Sequence, residues 1–261
     1  MTLTVMTYNV KTGGAPDRQD RIVEVIIANR PDVLALQELR GFDRARTRQV
    51  AGVLGMAAFL GRSWLGQPVA VLVREPAPVI SARRIRRPFH HAAVEVVVAT
   101  DRGPLAVIGA HLYPYSGRRR LWEARWLASL VDSGRLMLLM GDLNSLDPWT
   151  DHAARLRDLS PRYRSRHLRH GGLVDSRAVA VLADAGLVDL FVRAGTGGKD
   201  YTAPTEHGGG TEFSKLRLDY ILGTEPVARV TKACRIVSGG ASEHTSDHYP
   251  VVAELDLSLA R

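Results

Sequence analysis

Short apolar runs recur along the chain, and they constrain its fold more than any other feature. Runs of this length, often rich in β-branched residues, are typical of buried strands. We predict strands at residues 3–10, 33–36, 69–73, 93–98, 105–110, 136–140, 218–222 and 251–257. Patterns with helical spacing lie between them, at residues 18–29, 118–131 and 176–185. The alternation of the two patterns predicts an α/β protein.

The length suits one extensive core. The chain has 261 residues and is 45% hydrophobic, which falls within the range of a single large domain. We find no internal repeat, no low-complexity linker and no shift in composition that would mark a boundary. We therefore expect a single domain over residues 1–261.

The charge balance favours polyanionic partners. The formal net charge is +8 and the isoelectric point is near 10.0, which suits nucleic acid or an anionic membrane surface. The lysines among the 35 basic residues are few: Lys11, Lys199, Lys215 and Lys232. Arginine is suited to bidentate contacts with phosphate, although Arg-rich codon usage would give the same bias.

Cys234 is the lone cysteine, which excludes a disulfide framework and a cysteine-based zinc site. The first ten residues, MTLTVMTYNV, predict a strand rather than a secretory signal. No stretch reaches the roughly 18 apolar residues that a membrane span needs. We expect a cytoplasmic monomer with no stable membrane insertion.

Residues 160–172 form the most basic segment of the chain. They contain almost nothing apolar, which predicts an exposed loop. Its arginines are candidates for binding the substrate: Arg162, Arg164, Arg166 and Arg169.

Polar residues follow several of the predicted strands at the point where each strand ends. Asn9, Glu38, His111 and Asp142 lie at these positions. Charged groups are rarely buried unless they are paired or bind a metal, so strand ends that meet at one rim would form a shared site. Residues 246–248 instead precede the last strand, as expected if that strand runs antiparallel to the others.

Each of these signals is weak alone, since such residues commonly cap turns, but their order is specific. The motifs TYNV, LQEL, AHLYPYS, GDLN, RLDYIL and TSDHYPV span nearly the whole chain. This set resembles the endonuclease/exonuclease/phosphatase superfamily, which includes DNase I, exonuclease III-like repair nucleases and neutral sphingomyelinases. The resemblance implies a DNase I-like fold of class α/β (α+β), a four-layer α/β/β/α sandwich of two mixed sheets.

The resemblance also implies roles for individual residues. Glu38 would hold a divalent metal, with Asn9 nearby and Asp247 as a further ligand. Oxygen ligands without cysteine fit Mg²⁺ or Mn²⁺. His111 and Asn144 would bind the phosphoryl oxygens. The proton-transfer and water-orienting roles would belong to Asp142 and to His248, which Asp219 would orient.

The sequence departs from the exonuclease III-like pattern at one position. These relatives usually carry an acidic residue two places after the motif asparagine, whereas Lys11 stands there in this chain. The departure argues against a second metal site and against an abasic-site endonuclease. The AHLYPYS segment likewise places the chain nearer to DNase I, the sphingomyelinases and the tyrosyl-DNA phosphodiesterases.

We therefore predict a Mg²⁺-dependent phosphodiesterase, with nucleic acid as substrate, acting as a nuclease or a DNA-end-processing enzyme. The alternative is a phosphatase or phosphodiesterase on a small molecule, a phosphoinositide or a phospholipid. A third class is a non-catalytic nucleic-acid-binding module. The sequence disfavours this third class because every catalytic position retains its functional residue type.

Overall fold

The computed structural model describes residues 2–258. Its strands are β1 (Thr2–Asn9), β2 (Val33–Gln37), β3 (Met56–Gly61), β4 (Val69–Arg74), β5 (Val79–Arg84), β6 (Ala92–Thr100), β7 (Gly103–His111), β8 (Leu136–Asp142), β9 (Leu187–Asp189), β10 (Asp219–Thr224), β11 (Thr231–Ile236) and β12 (Val251–Asp256). Its α-helices are α1 (Gln19–Asn29), α2 (Arg44–Leu54), α3 (Gly117–Ala128), α4 (Ala153–Arg157), α5 (Pro161–Arg164), α6 (Arg177–Asp184), α7 (Leu190–Ala194), α8 (Glu225–Arg229) and α9 (Ser242–Thr245).

The strands form two mixed sheets. The first has the order β11-β12-β1-β2-β4-β3, and the second has the order β5-β6-β7-β8-β10-β9. The pairs β1–β2 and β7–β8 are parallel, whereas the other pairs are antiparallel. The last strand, β12, pairs antiparallel with β1, as the sequence predicted.

Three apolar clusters define four layers. The central cluster lies between the sheets and joins side chains such as Val5 and Val71 to Val107 and Met140. A second cluster packs α1 and α2 against the outer face of the first sheet, and a third packs α3 and α6 against the second sheet. The predicted four-layer α/β/β/α sandwich is therefore confirmed. Among the described residues, no helix has the length and apolar character needed to cross a membrane.

The eight predicted strands and three predicted helices all form, with ends that shift by a few residues. The strands missing from the prediction are β3, β5, β9 and β11, and these are the outermost strands of the two sheets. Edge strands are often short or charged, which blocks pairing with another chain. β5 and β11 carry charged residues and β9 has three residues, so they lack the apolar signal of a central strand. β3 (MAAFLG) is apolar and uncharged, and the prediction missed it nevertheless.

The register places the polar strand ends at one rim. Asn9 pairs with Gln37 at the end of β1 and β2, and His111 pairs with Asp142 at the end of β7 and β8. Asp219, at the start of the antiparallel β10, also pairs with Asp142. Gly141 makes the approach of β8 to β7 feasible, because its φ is 152° and a Cβ there would lie 1.8 Å from the Ala110 carbonyl oxygen.

Candidate active site

Asp142 lies at the centre of the polar cluster on this rim. Its Oδ2 accepts a hydrogen bond from Asn9 Nδ2 at 2.9 Å and lies 3.3 Å from His111 Nε2. Its Oδ1 accepts from the backbone amide of Asn144 at 2.8 Å. The carboxylate is buried, so these donors replace the water that it would otherwise bind. They fix the orientation of the carboxylate.

His248 also lies close to Asp142. Its Nδ1 lies 2.7 Å from Asp219 Oδ2, whereas its Nε2 lies 3.9 Å from Asp142 Oδ2. The Phe213 ring packs edge-on against the imidazole with the ring centroids 5.1 Å apart. Because Asp219 occupies Nδ1, the Nε2 atom is the one directed toward Asp142 and available for a reacting group.

Asn9 connects this cluster to Glu38. Its Nδ2 donates to Glu38 Oε1 at 3.2 Å as well as to Asp142. Glu38 Oε2 accepts from the Thr12 backbone amide at 3.1 Å and from Gln67 Nε2 at 2.9 Å. The predicted residue Glu38 therefore shares one hydrogen-bonded network with Asp142.

His111 and Asn144, to which the resemblance gives a shared role, are adjacent. Asn144 Nδ2 lies 3.0 Å from His111 Nε2 and donates to the Leu112 carbonyl oxygen at 3.1 Å. Asn144 and Glu38 both have left-handed backbones, with φ values of 48° and 59°. This region is uncommon for residues other than glycine, and such strain is often found at functional sites. In this chain it accompanies two predicted site residues.

Asp247 forms an ion pair that the sequence did not predict. Lys11 Nζ lies 3.2 Å from Asp247 Oδ2 and donates to the Gly208 carbonyl oxygen at 2.8 Å. Ser246, beside Asp247, donates from Oγ to the Asn9 carbonyl oxygen at 2.7 Å. The lysine at the departure from the exonuclease III-like pattern therefore places a fixed positive charge against a predicted metal ligand.

The charges at the centre of the site support one another. Burial alone would raise the pKa of the Asp142 carboxyl, but His111 and His248 outweigh burial and lower it. Burial alone would lower the pKa of His248, but Asp219 and Asp142 raise it well above its ordinary value. Burial opposes the ionisation of Glu38 as well, yet His111 and the Thr12 amide lower its pKa. The folded structure therefore favours ionised Asp142 and Glu38 together with an imidazolium at His248, whereas burial and the Asp142 charge raise the pKa of Asp219.

The sequence prediction missed Gln67 and His91. His91 stacks on His111 with the ring centroids 3.8 Å apart. Its Nδ1 accepts a hydrogen bond from the backbone amide of Gln67 at 2.9 Å. Gln67 shortly precedes β4 and His91 directly precedes β6, and both strands run antiparallel to a neighbour that ends at the rim. A polar residue just before an antiparallel strand was the signal that identified residues 246–248. The same signal at Gln67 and His91 would have found these two residues.

The basic segment, residues 160–172, is not the fully exposed loop that the sequence suggested. It contains α5 and two short 3₁₀ turns, and only Arg162 and Arg169 of its four predicted arginines are exposed. Arg164 donates to the carbonyl oxygens of Arg157 and Leu159. Arg166 pairs with Glu212 and lies over two tyrosine rings, those of Tyr115 and Tyr163. Protein contacts therefore occupy half of the predicted phosphate-binding set.

His167, within this basic segment, should make the protein less stable in acid. Burial, assisted by Arg120 and Arg166, lowers its pKa to about 3. The unfolded chain takes up this proton near pH 6.5 and the folded chain does not, so the free energy of unfolding should fall below pH 6.5 by about 1.4 kcal/mol per pH unit. At pH 5 the loss from this residue should be about 2 kcal/mol.

Urea unfolding at pH 7 and pH 5 measures this loss. His167→Gln should reduce the difference between the two pH values, whereas His170→Gln, an exposed neighbour in the same segment, should leave it unchanged. Equal pH dependence in the wild type and His167→Gln would show that His167 is not buried in its neutral form.

Solved structures with the same fold cover almost all of the chain. An endonuclease/exonuclease/phosphatase from Bacteroides vulgatus has a TM-score of 0.73 and 17% identity, covering 98% of this chain and 99% of its own. An AP endonuclease from Archaeoglobus fulgidus has a TM-score of 0.70 and 21% identity, covering 98% and 100%. A 3′ phosphatase, NExo, from Neisseria bound to a product DNA hairpin has a TM-score of 0.69 and 20% identity, covering 97% and 99%.

Sequence comparison supports the same relationship. Among curated proteins, no relative reaches significance. The model of the Endonuclease/Exonuclease/phosphatase family matches residues 6–248, a range that begins within β1 and ends at His248. This range contains every residue of the hydrogen-bonded network around Asp142, and the sandwich has the fold of solved family members. The chain therefore belongs to the endonuclease/exonuclease/phosphatase family of metal-dependent phosphoric ester hydrolases.

Proposed function

We propose that this protein is a Mg²⁺- or Mn²⁺-dependent phosphodiesterase that cleaves nucleic acid. The observation that carries the proposal is the network in which Asn9 joins Glu38 to Asp142 while two histidines face the same carboxylate. A phosphodiester is anionic, so its hydrolysis needs positive charge at the phosphoryl oxygens and a positioned water molecule. The network supplies groups for both tasks.

The residues around Glu38 fit a hard divalent cation. The carboxylate of Glu38 lies beside Gln67, whose Oε1 is buried without a hydrogen-bond partner. The amide of Asn9 donates to Glu38, Ser246 beside Asp247 donates to the Asn9 carbonyl oxygen, and Cys234 is in the core. Such oxygen donors suit Mg²⁺ or Mn²⁺. When bound, the cation would stabilise negative charge on the phosphoryl oxygens.

Asp142, Asp219 and His248 also lie close enough together to hold a cation. We assign this cluster to proton transfer instead, because His248 Nδ1 and Asp219 Oδ2 already bind each other at 2.7 Å. Glu38, with Asn9 and Asp247, is therefore our proposed metal site, and Lys11 at Asp247 argues for a single ion.

The remaining residues have roles that follow from their orientation. Asp142, held by donors on both oxygens, orients the attacking water. His248 presents Nε2 to the phosphate or the leaving oxygen, because Asp219 fixes its other nitrogen. His111 and Asn144 donate hydrogen bonds to the phosphoryl oxygens. No step requires a covalent intermediate on the protein.

Charge and relatives support nucleic acid as the substrate. The net charge of +8 favours a polyanion. Two of the structurally similar proteins are described as an AP endonuclease and a 3′ phosphatase bound to DNA. Arg162 and Arg169 are exposed and can each neutralise a backbone phosphate.

Hydrolysis of plasmid, single-stranded oligonucleotide and bis(p-nitrophenyl) phosphate in Mg²⁺ tests the proposal. We expect turnover of the nucleic acids and of the small diester. The double variant Arg162→Ala/Arg169→Ala should weaken duplex binding and flatten the slope of log affinity against log salt by up to about 1.8, since each phosphate contact contributes roughly 0.9. Its turnover of the small diester should be unchanged.

Arg193→Ala/Arg229→Ala is the matched control, because these exposed arginines lie on α7 and α8, outside the basic segment. An unchanged salt slope in Arg162→Ala/Arg169→Ala would remove the basic segment from the nucleic-acid interface. Cleavage of the small diester without cleavage of any nucleic acid would favour the small-molecule or lipid alternative.

A further inference from the structure

A cavity of about 350 Å³ opens beside the candidate active site. Its walls come from the strand and helix ends that flank His111, and the aromatic side chains among them are His90, Tyr113, Trp122 and Trp126. Binding pockets for small molecules have volumes of roughly 300–1,000 Å³. The cavity is therefore large enough for one small planar group, and the roles proposed above do not use it.

A buried carboxylate fixes two walls of this cavity. Glu123 accepts the backbone amide of His90 at 2.7 Å and that of Tyr113 at 2.7 Å, through its two oxygens. Glu123 is only 4% exposed, so the two hydrogen bonds are shielded from water. Glu123 thereby fixes the two segments that carry His90 and Tyr113.

A continuous series of aromatic rings connects the cavity to the active site. The His111 ring stacks on His91, the His91 ring contacts His90 at a centroid distance of 4.6 Å, and His90 contacts Tyr113 at 4.9 Å. His111 is the residue that we assign to the phosphoryl oxygens. His90, in the cavity wall, is therefore separated from His111 by one intervening ring, that of His91.

The loop of residues 62–68 forms a rim above these rings. Ser63 Oγ donates to the His90 carbonyl oxygen at 2.8 Å, and the backbone amide of Gln67 donates to His91 Nδ1. A Cβ at Gly66 would lie 2.5 Å from His91 Nδ1, so a glycine is required for this close approach. The loop carries Leu65 into the cavity lining, and its Gln67 reaches Glu38. One loop thus borders both the cavity and the proposed metal site.

The surface of the cavity combines flat rings with positive charge. Arg118 and Arg119 line it, and the Arg119 guanidinium lies 5.1 Å from the Tyr113 ring centroid. Trp122 is 55% exposed, so its ring is accessible to a ligand from solvent. Aromatic rings beside arginines are the combination that binds unpaired bases, since bases stack on the rings while the backbone phosphates meet the cations.

We propose that this cavity holds an unpaired nucleobase of the substrate, next to the phosphate that is cleaved. The proposal rests on the proposed nucleic-acid substrate and adds a preference for an unpaired base beside the cleaved phosphate, as in a single strand or a frayed end. A base and its phosphate are separated by one sugar, which matches the short separation of the cavity wall from His111. The concave shape of the cavity favours a base over a lipid surface.

Equilibrium binding in a chelator tests the proposal without turnover. The probes are fluorescein-labelled octathymidylate and a strand of equal length in which every base is replaced by tetrahydrofuran, measured by fluorescence anisotropy. The wild type should prefer the base-bearing strand. Trp122→Ala should weaken binding of the base-bearing strand about tenfold, equal to about 1.4 kcal/mol. This loss is within the range for base–aromatic stacking. Binding of the baseless strand should not change.

Trp122→Phe is the matched variant, because it keeps a ring at the same position and should retain most of the preference. Unchanged thermal unfolding of both variants shows that the fold is intact. Equal affinity of the wild type for the two strands would overturn the proposal. Loss of binding to phosphatidylserine vesicles in Trp122→Ala, combined with that equality, would assign the cavity to a lipid surface instead.

Failure of the base-pocket proposal and failure of the proposed function are distinguishable. A wild type that hydrolyses no phosphodiester, yet prefers the base-bearing strand, would refute the hydrolase roles and keep the pocket. A wild type that cleaves single strands with and without bases equally well, and binds them alike, would refute the pocket and keep the hydrolase.

Discussion

Asp142→Asn should lower kcat for phosphodiester hydrolysis by about 10³-fold, and His248→Ala should have an effect of similar size. The expectation follows from the geometry, because Asp142 accepts donors on both oxygens and His248 presents Nε2 toward the same point. General acid–base groups typically contribute about 10²- to 10⁴-fold to the rate. Steady-state kinetics with bis(p-nitrophenyl) phosphate measure the effect without involving the base pocket or the basic segment.

The double variant should be little slower than the slower single variant. Residues that act as one unit are non-additive, because removing either one already disables the shared step. Asp132→Asn provides the control, since this exposed carboxylate lies before the opposite end of β8 from Asp142. If the double variant lost the product of both single effects, the two residues would act independently and the shared site would be wrong.

Removal of divalent metal should abolish turnover, and Mg²⁺ or Mn²⁺ should restore it. The expected loss is as large as that of Asp142→Asn, because the negative charge that develops on the phosphoryl oxygens would lack its main counter-charge. Glu38→Gln should raise the Mg²⁺ concentration needed for half-maximal activity by at least about tenfold, since an amide binds the cation more weakly than a carboxylate.

Calorimetric titration of Mg²⁺ into the protein without substrate separates metal binding from catalysis. Glu38→Gln should weaken binding, and Glu24→Gln, which removes an exposed carboxylate from α1, should not. A single binding site is expected, because Lys11 already neutralises Asp247. Full activity in excess chelator would refute the metal requirement, and two tight sites would refute the role of Lys11.

Addition of Mg²⁺ should distinguish the loss of activity caused by chelation from the loss caused by Asp142→Asn. The metal-free protein should regain activity when Mg²⁺ is added, whereas Asp142→Asn should stay slow at any Mg²⁺ concentration. Rescue of Asp142→Asn by high Mg²⁺ would instead place Asp142 among the metal ligands. This would favour the cluster of Asp142, Asp219 and His248 as the cation site.

The sequence by itself determined the central strands, the main helices and the residues at the strand ends. Buried strands need continuous apolar side chains, so β1, β2, β7 and β8 are visible in the printed sequence. The polar residue that ends such a run is equally visible, which is why Asn9, Glu38, His111 and Asp142 were predicted together. The structure brings all four into one hydrogen-bonded network.

Only the tertiary structure decided which other side chains enter that network. Lys11 reaches Asp247, and Gln67 reaches Glu38, across sequence separations that no local pattern records. Three of the four edge strands gave no apolar signal, because β5 and β11 carry charged residues and β9 has three residues. Arg164 and Arg166 looked equivalent to Arg162 in the sequence, yet the fold directs them to carbonyl oxygens, Glu212 and tyrosine rings. The sequence specifies the chemistry of each side chain. Its partners depend on the tertiary structure, because the packed sheets bring strand ends and loops that are distant in sequence within hydrogen-bonding distance.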